Sequence, residues 1–274
     1  MTKKRIGSGS TGADRRKAAM TLVPSNAASK NAIAVSATEA GGAVYRDKGT
    51  TLIANEPYAL GGQAILADAV YFVDDSKSRE DGPWLGEADK IAWRDRATGF
   101  ECIIMRSRHG GYLGGYVGVP QGHPLYGFDH AAIPSELDVE VHGGITYSRA
   151  CEHGPPSATS LSNEAQRICH VPRVGERVRV GPATHATGYR VQDDDAWWFG
   201  FECNHVYDLV PSNPESRGRF LAAETGPVYR DEAYVYGEVT HLAEQLHAIA
   251  SGSPKPPRSA PSPPPLGLDP RKED

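Results

Sequence analysis

An amphipathic helix near the C-terminal end is the clearest hydrophobic pattern in this chain. Apolar residues recur there at spacings of four and three, which places them on one helical stripe: Val235, Val239, Leu242, Leu246 and Ile249. Asp231 stands before the stripe at the position of an N-cap. His241 and His247 lie off the stripe, and we interpret both as solvated helix surface. The pattern predicts one long helix that packs by its apolar face.

Short apolar or alternating segments elsewhere predict strands. Residues 69–73 and 100–105 are short and apolar, and residues 177–180 alternate. Residues 137–142 (LDVEVH) alternate strictly, so Asp138, Glu140 and His142 would share the outer face of a strand.

Residues 196–203 (AWWFGFEC) form an aromatic segment that also predicts a strand. Four side chains of this region would face the core and are mostly aromatic: Trp197, Phe199, Phe201 and Cys203. Many strands and one helix favour an α+β fold, with a mainly antiparallel sheet and a long C-terminal amphipathic helix. An all-β sandwich or barrel with a docked helix is the alternative.

Three compositional regions divide the 274 residues. Residues 1–36 are rich in Ser, Gly, Ala, Lys and Arg without a sustained period, and residues 251–274 contain eight prolines. Both compositions are typical of disordered tails. We therefore predict a single acidic globular domain, residues 37–250, between a basic tail and a Pro-rich tail.

Charge and cysteine content restrict the partners and the compartment. Residues 1–36 carry +6 (seven basic, one acidic) and residues 251–274 carry +1 (four basic, three acidic), so the total of −5 leaves −12 for residues 37–250. Such an acidic core repels phosphate backbones, which disfavours nucleic acid as its partner. No apolar run approaches the ~20 residues of a membrane helix, so we expect no membrane partner. Four cysteines without a CxxC spacing predict reduced thiols and a cytoplasmic location.

Residues 110–122 (GGYLGGYVGVPQG) form a Gly-rich run that matches neither nucleotide-binding fingerprint. The glycines could let backbone amides approach a ligand. The interpretation we favour is a sheet edge with tight turns or bulges, where glycine supplies positive φ.

Histidines and carboxylates at predicted strand ends are the candidates for chemistry. His142 stands where a predicted strand meets Gly143 and Gly144, whose backbone N–H groups would face a ligand. Glu202, His205 and Asp208 are three residues apart and would share one face if the chain turns helical there. We predict that His142 and His205 converge, although sixty-two residues separate them.

Three segments resemble an uncharacterised family of phage- and prophage-borne proteins: GYVGVPQGHPLYG, VHGGITYS and WWFGFECNHVYDLVP. The resemblance covers roughly residues 90–248 and includes the terminal segment YVYGEVTHLAEQL. It implies no activity, but it places His123, His142, Glu202, Cys203, His205 and Asp208 in the distinctive segments, and it implies a host-cytoplasmic location. The family pattern has Asp where this chain has Glu202, which is one methylene longer.

The first functional hypothesis is a metal-assisted hydrolase or lyase that acts on a small, anionic substrate. A divalent cation (zinc, manganese or iron) would be held by His142, His205 and Asp208, with His123 as a further ligand. Glu202 would be the general base, and His142 would take part in catalysis as well as in metal binding. Four further residues would contact the ligand: Gly143, Gly144, Trp198 and Tyr116.

The second hypothesis is a non-catalytic phage accessory protein that binds a host protein or sequesters a small signalling molecule. Aromatic residues would then form stacking walls: Trp198, Tyr116, Tyr126 and Tyr147. Arg106, Arg108 and Arg177 would pair with anionic groups of the ligand.

Overall fold

The computed structural model describes residues 34–37, 42–60, 62–151, 160–168, 195–212 and 227–258. This part of the chain forms a nine-stranded antiparallel sheet and one long helix at its C-terminal end. The predicted α+β fold is therefore confirmed. The strand predicted at 177–180 lies outside the described residues.

The sheet is a meander of seven strands extended by two more. In chain order the strands are β1 (Ala34–Ala37), β2 (Ala43–Asp47), β3 (Thr50–Leu60), β4 (Gln63–Val73), β5 (Lys90–Arg94), β6 (Glu101–Arg106), β7 (Leu113–Val119), β8 (Tyr147–Ala150) and β9 (Trp197–Glu202). Their spatial order is β1-β2-β3-β4-β5-β6-β7-β9-β8. The strands predicted at 69–73, 100–105 and 196–203 thus correspond to β4, β6 and β9.

The Gly-rich run contains β7, which lies inside the sheet between β6 and β9, so its prediction as a sheet edge is wrong. All seven residues of β7 are buried, because both faces of the strand are covered. A Cβ on Gly115 would lie 2.4 Å from Val239 Cγ2 and 2.7 Å from the Phe201 ring. Glycine is therefore needed here for close packing of a helix on the sheet.

The long helix α2 (Glu232–Ser251) packs on β6 and β7 and covers one face of the sheet. Asp231 caps it, since its carboxylate accepts a hydrogen bond from Tyr234 N at 2.8 Å. The predicted stripe is confirmed: Val235, Val239, Leu242 and Leu246 are fully buried, and Ile249 packs against the same core. His241 is 0 % exposed, so its interpretation as helix surface is wrong, whereas His247 is exposed.

A second core lies on the opposite face of the sheet. It is built mainly from large side chains of the strands, among them Tyr45, Tyr71, Tyr116 and Trp198. The short helix α1 (Leu161–Glu164) packs over β2 and β3 on this side. We call the two sides the α2 face and the α1 face.

The segment between β7 and β8, residues 120–146, passes over α2. The predicted strand at 137–142 does not form: Ser135–Leu137 is a 3-10 helix, Asp138 is left-handed at φ 47, and residues 139–141 belong to no strand. The side chain of Gln245 hydrogen-bonds both the N–H and the carbonyl of Glu140, at 2.8 Å each. The backbone of this segment is thus satisfied by a helix side chain instead of a neighbouring strand.

Contacts at both ends of the described chain extend slightly beyond the predicted domain limits of 37 and 250. β1 begins at Ala34 and pairs with β2. After the C-cap Gly252, Lys255 forms an ion pair with Asp138 at 2.7 Å, and Arg258 forms one with Glu238. The rest of both predicted tails lies outside the described residues.

The cysteines differ from the prediction. Cys102 and Cys203 are free and buried, but Cys151 is disulfide-bonded. The prediction of reduced thiols is therefore wrong for Cys151, because spacing along the sequence does not report which cysteines meet in space.

Candidate metal centre

His142, His205 and Asp208 lie together in the interior of the protein. One potential ligand atom from each lies within 4.8 Å of the others. The centroids of the two imidazole rings are 5.1 Å apart, so the predicted convergence of His142 and His205 is confirmed. His142 and Asp208 are 0 % exposed and His205 is 5 % exposed. We call this group the His-His-Asp cluster.

A tight turn at residues 141–144 positions His142. Gly144 N donates to the carbonyl of Val141 at 3.0 Å, which closes the turn. Gly143 has φ +65, a left-handed conformation that glycine adopts without strain. The apolar and polar alternation of residues 137–141 holds as predicted, but the turn sends His142 inward instead of to the outer face.

The His205 ring packs directly on the backbone of Gly143. A Cβ at position 143 would lie 1.9 Å from His205 Cε1, a distance that no side chain tolerates. The space above Gly143, where we predicted a ligand, is instead filled by the His205 ring. Gly144 has open space where its side chain would be.

His205 and Asp208 come from a turn that follows β9. Asp208 N donates to the His205 carbonyl, and His205 N donates to Asp208 Oδ2, both at 2.9 Å. A backbone bridge to Val228 holds the other side of Asp208. The three-residue spacing of His205 and Asp208 therefore places them together in a single turn, without a helix.

Both oxygens of the Asp208 carboxylate accept hydrogen bonds. Oδ2 accepts from His142 Nε2 at 2.8 Å and from His205 N at 2.9 Å, and Oδ1 accepts from Arg230 Nε at 2.9 Å. Burial alone would raise the pKa of this carboxyl, but the hydrogen bonds from His142 and His205, with that from Arg230, hold it well below its usual range. Asp208 is consequently an anion at every physiological pH.

His142 is held in one orientation by three partners. Its Nε2 faces the Asp208 carboxylate, its Nδ1 lies 2.9 Å from the Tyr234 hydroxyl, and its backbone N–H donates to Glu238 Oε2 at 2.8 Å. Burial lowers the pKa of the imidazole, and this effect outweighs the opposing effect of Asp208. The neutral imidazole is the form that binds metals.

The side chains of Tyr234 and Glu238 on α2 and that of Arg230 contact the cluster, and Arg258 lies behind Glu238; sequence reasoning missed all four. Arg230 stacks over the Tyr234 ring at 4.7 Å, and Arg258 pairs with the buried Glu238 carboxylate. Burial raises the pKa of Glu238 despite Arg258. Glu238 was detectable, because it lies three residues after Val235 and four before Leu242, on the apolar stripe itself.

Glu202 points away from the cluster. Phe201 and Cys203 belong to the core on the α2 face, whereas Trp198 belongs to the core on the α1 face. Since side chains alternate along a strand, Glu202 lies on the α1 face. Its carboxylate contacts the Tyr112 hydroxyl and the Asn204 amide there.

The remaining candidates also lie apart from the cluster. His123 is buried, its Nε2 is 2.8 Å from the Leu246 carbonyl, and its Nδ1 accepts from Leu125 N, so both ring nitrogens are engaged. Trp198 is fully buried in the α1-face core, and Tyr116 lies beside it at the wall of a cavity.

The donor set of the cluster fits a metal ion. Two imidazoles and a carboxylate are ligands that bind transition metals. The ligand atoms are separated by 2.8 Å (His142 Nε2 to Asp208 Oδ2) and 3.4 Å (His205 Nδ1 to Asp208 Oδ2), close to the roughly 3 Å spacing around an ion with bonds of about 2 Å. Arg230 occupies Oδ1 and leaves Oδ2 directed at the two rings. The buried group could therefore hold a metal ion.

Comparison with known proteins found no relative of this chain: no protein family model, no curated protein and no solved structure matches it. The resemblance to phage-borne proteins therefore stays a prediction.

No helix in the described ranges is long and apolar enough to cross a membrane.

Proposed function

We propose that this protein binds a divalent transition metal (zinc, manganese or iron) at the His-His-Asp cluster and acts as a metal-assisted hydrolase or lyase. The observation that carries the proposal is the burial of three potential ligands with their ligand atoms within 4.8 Å of one another.

Three protein ligands are the number found in catalytic zinc sites, where the fourth position is left for water or substrate. A bound ion would supply Lewis acidity and lower the pKa of a water molecule toward neutrality. His205 is the one member of the cluster with measurable exposure, so water or substrate would reach a bound ion from its side.

Arg230 supports an anionic substrate. Its Nε is engaged by Asp208 Oδ1, whereas its two terminal nitrogens have no hydrogen-bond partner in the described part of the chain. Its side chain is 16 % exposed, so it is accessible beside the cluster. A guanidinium in this position would pair with a carboxylate or phosphate group.

Tyr234 and Glu238 are positioning residues in this proposal. Partners behind a metal-binding histidine fix its ring orientation, and their loss typically lowers metal affinity about 10- to 100-fold. Because Glu202 lies on the opposite face of the sheet, the proposal gives it no role as general base.

Metal analysis of purified protein tests the proposal. We expect about one equivalent of metal per wild-type chain and its loss in His142→Ala and Asp208→Asn, while the exposed His247→Ala keeps it. Tyr234→Phe should weaken metal binding about tenfold, because it removes the contact with His142 Nδ1. Tyr236→Phe, on the same helix but packed against Trp93, is the matched control.

Hydrolysis of p-nitrophenyl phosphate and p-nitrophenyl acetate provides a test of activity on simple probes. Activity that depends on added zinc, manganese or iron and is absent from His142→Ala would support the hydrolase. Unchanged metal content and unchanged activity in both His142→Ala and His205→Ala would refute it and leave non-catalytic binding.

A further inference from the structure

A cavity of about 230 Å³ opens on the α1 face, on the opposite side of the sheet from the metal centre. Strands β6, β7, β8 and β9 and the residues after α1 line it. Its polar and aromatic lining includes Arg108, Tyr112, Tyr116, Tyr147, Gln166 and Glu202. The volume is below the 300–1,000 Å³ of sites for drug-sized ligands, so an occupant has the size of an amino acid.

Aromatic rings form much of the cavity wall. Tyr116 and Tyr147 meet edge to face, with ring centroids 5.3 Å apart. Tyr112 adds a third ring, and Met105 adds a polarisable thioether. Clustered tyrosine faces attract cations, above all organic ammonium groups.

Glu202 gives the cavity a negative charge beside these rings. Its Oε2 accepts from the Tyr112 hydroxyl at 3.3 Å and from Asn204 Nδ2 at 3.2 Å. Its Oε1 has no hydrogen-bond partner among the described residues. A carboxylate oxygen is therefore left for a ligand.

Two arginines also border the cavity, but only one is free to bind a ligand. Arg106 is buried and paired with Glu87 at 2.7 Å and Asp89 at 3.3 Å, so its charge is compensated. Arg108 is exposed and has no ion pair among the described residues. The cavity thus presents one available carboxylate and one available guanidinium.

We propose that this cavity binds a small zwitterion, with its ammonium group against Glu202 and the tyrosine rings and its carboxylate toward Arg108. Amino acids and betaines are the chemical class that meets both charges within this volume. The Tyr116, Tyr147 and Arg108 contacts that the sequence suggested for a non-catalytic binder come together here, and Glu202 joins them. The site is separate from the metal centre and does not depend on it.

Calorimetric titration of the full chain tests the proposal with four probes: glycine betaine, γ-butyrobetaine, choline and the uncharged choline analogue 3,3-dimethyl-1-butanol. At least one of the betaines should bind more tightly than choline, and choline more tightly than the uncharged analogue. Glu202→Gln should weaken betaine binding about 5- to 30-fold, as loss of a partly desolvated cation contact does. Arg108→Gln should weaken it only about two- to fivefold, because its charge is exposed to solvent.

Matched controls separate this site from general effects. Glu136→Gln makes the same charge change on the exposed surface, and His142→Ala disrupts the metal centre; both should bind betaine as the wild type does. Absence of betaine binding to the wild type, or equal binding by wild type and Glu202→Gln, would overturn the proposal. Choline binding as tight as that of both betaines would overturn the zwitterion assignment.

Discussion

Gly143 is the residue on which the geometry of the metal centre most directly depends. It combines a positive φ with direct packing of the His205 ring, since a Cβ at this position would lie 1.9 Å from His205 Cε1. Gly144 has φ +83 but open space around it. A substitution at Gly144 therefore meets backbone strain alone, whereas one at Gly143 meets backbone strain and a steric clash.

We predict that Gly143→Ala destabilises the protein more than Gly144→Ala. Each substitution forces a left-handed conformation that costs about 1–2 kcal/mol for a residue with a Cβ. Only Gly143→Ala also displaces the His205 ring, so it should cost about 1–3 kcal/mol more and reduce metal binding. Thermal melting and metal analysis of both variants measure this, and equal effects would show that the Gly143 contact is unimportant.

His241 is a second residue whose environment determines a measurable property. Its ring is 0 % exposed, and neither ring nitrogen has a hydrogen-bond partner in the described structure. Burial lowers the pKa of this imidazole, and the charges of Arg258 and Lys255 lower it further, while Glu244, 3.8 Å from Nδ1, opposes them. Folding thus favours the neutral form of His241.

This predicts acid sensitivity. A histidine whose pKa is lowered by folding contributes its full stability above the unfolded pKa of about 6.5 and loses it as the pH falls below that value. The melting temperature of His241→Leu should therefore fall less than that of the wild type between pH 7.5 and pH 5.5. The exposed His247→Leu should behave like the wild type, and an unchanged slope in His241→Leu would contradict the prediction.

At the level of elements, α2 connects the core to the metal centre. Its apolar side packs on β6 and β7, and the same helix carries Tyr234 and Glu238, which hold His142. Gly115 allows the helix to approach the sheet closely. The orientation of His142 consequently depends on how α2 packs against the sheet.

Substitution of Leu242 tests the packing of α2 on the sheet. It is fully buried in the centre of the helix, so Leu242→Ala should cost about 2–5 kcal/mol of unfolding free energy through lost burial and a cavity. Chemical denaturation provides the measurement, with the exposed His247→Ala as control. A cost below about 0.5 kcal/mol, typical of surface changes, would mean that the helix does not pack as described.

For the whole molecule, the described fold extends from residue 34 to residue 258. The segment after α2 passes back over the helix, where Arg258 compensates the buried charge of Glu238 and Lys255 pairs with Asp138 and Glu140. The Pro-rich composition therefore does not prevent the first part of the C-terminal region from contributing to stability.

Trimming the chain tests these limits. A chain of residues 34–258 should melt cooperatively near the temperature of the full chain. A chain of residues 34–250, which keeps β1 whole, should melt at a lower temperature and lose about 1–3 kcal/mol of unfolding free energy, because the buried Glu238 carboxylate loses the cation of Arg258. Scanning calorimetry compares the three chains, and equal melting temperatures would show that the Arg258 pair contributes nothing.

Local patterns were sufficient wherever a residue's environment depends on its own neighbours in sequence. The stripe of α2, the Asp231 cap and the two faces of β9 follow from periodicity, because 3.6-residue and two-residue repeats decide which side chains share a face. The turn that joins His205 to Asp208 likewise lies within four residues. The stripe, the cap and the two strand faces were predictable from the sequence, whereas the three-residue spacing suggested a helical face for His205 and Asp208 and the structure has a turn there instead.

The tertiary structure alone decided which faces meet. The glycines of β7 are typical of a sheet edge, but the strand lies inside the sheet. Its glycines make room there for α2 and the neighbouring strands. Residues 137–142 alternate like a strand, yet Gln245 satisfies their backbone, and the turn at Gly143 sends His142 inward. Glu202 and His205 are three residues apart but lie on opposite faces. Periodicity reports that a residue is buried, whereas its partner depends on long-range packing that no local window contains.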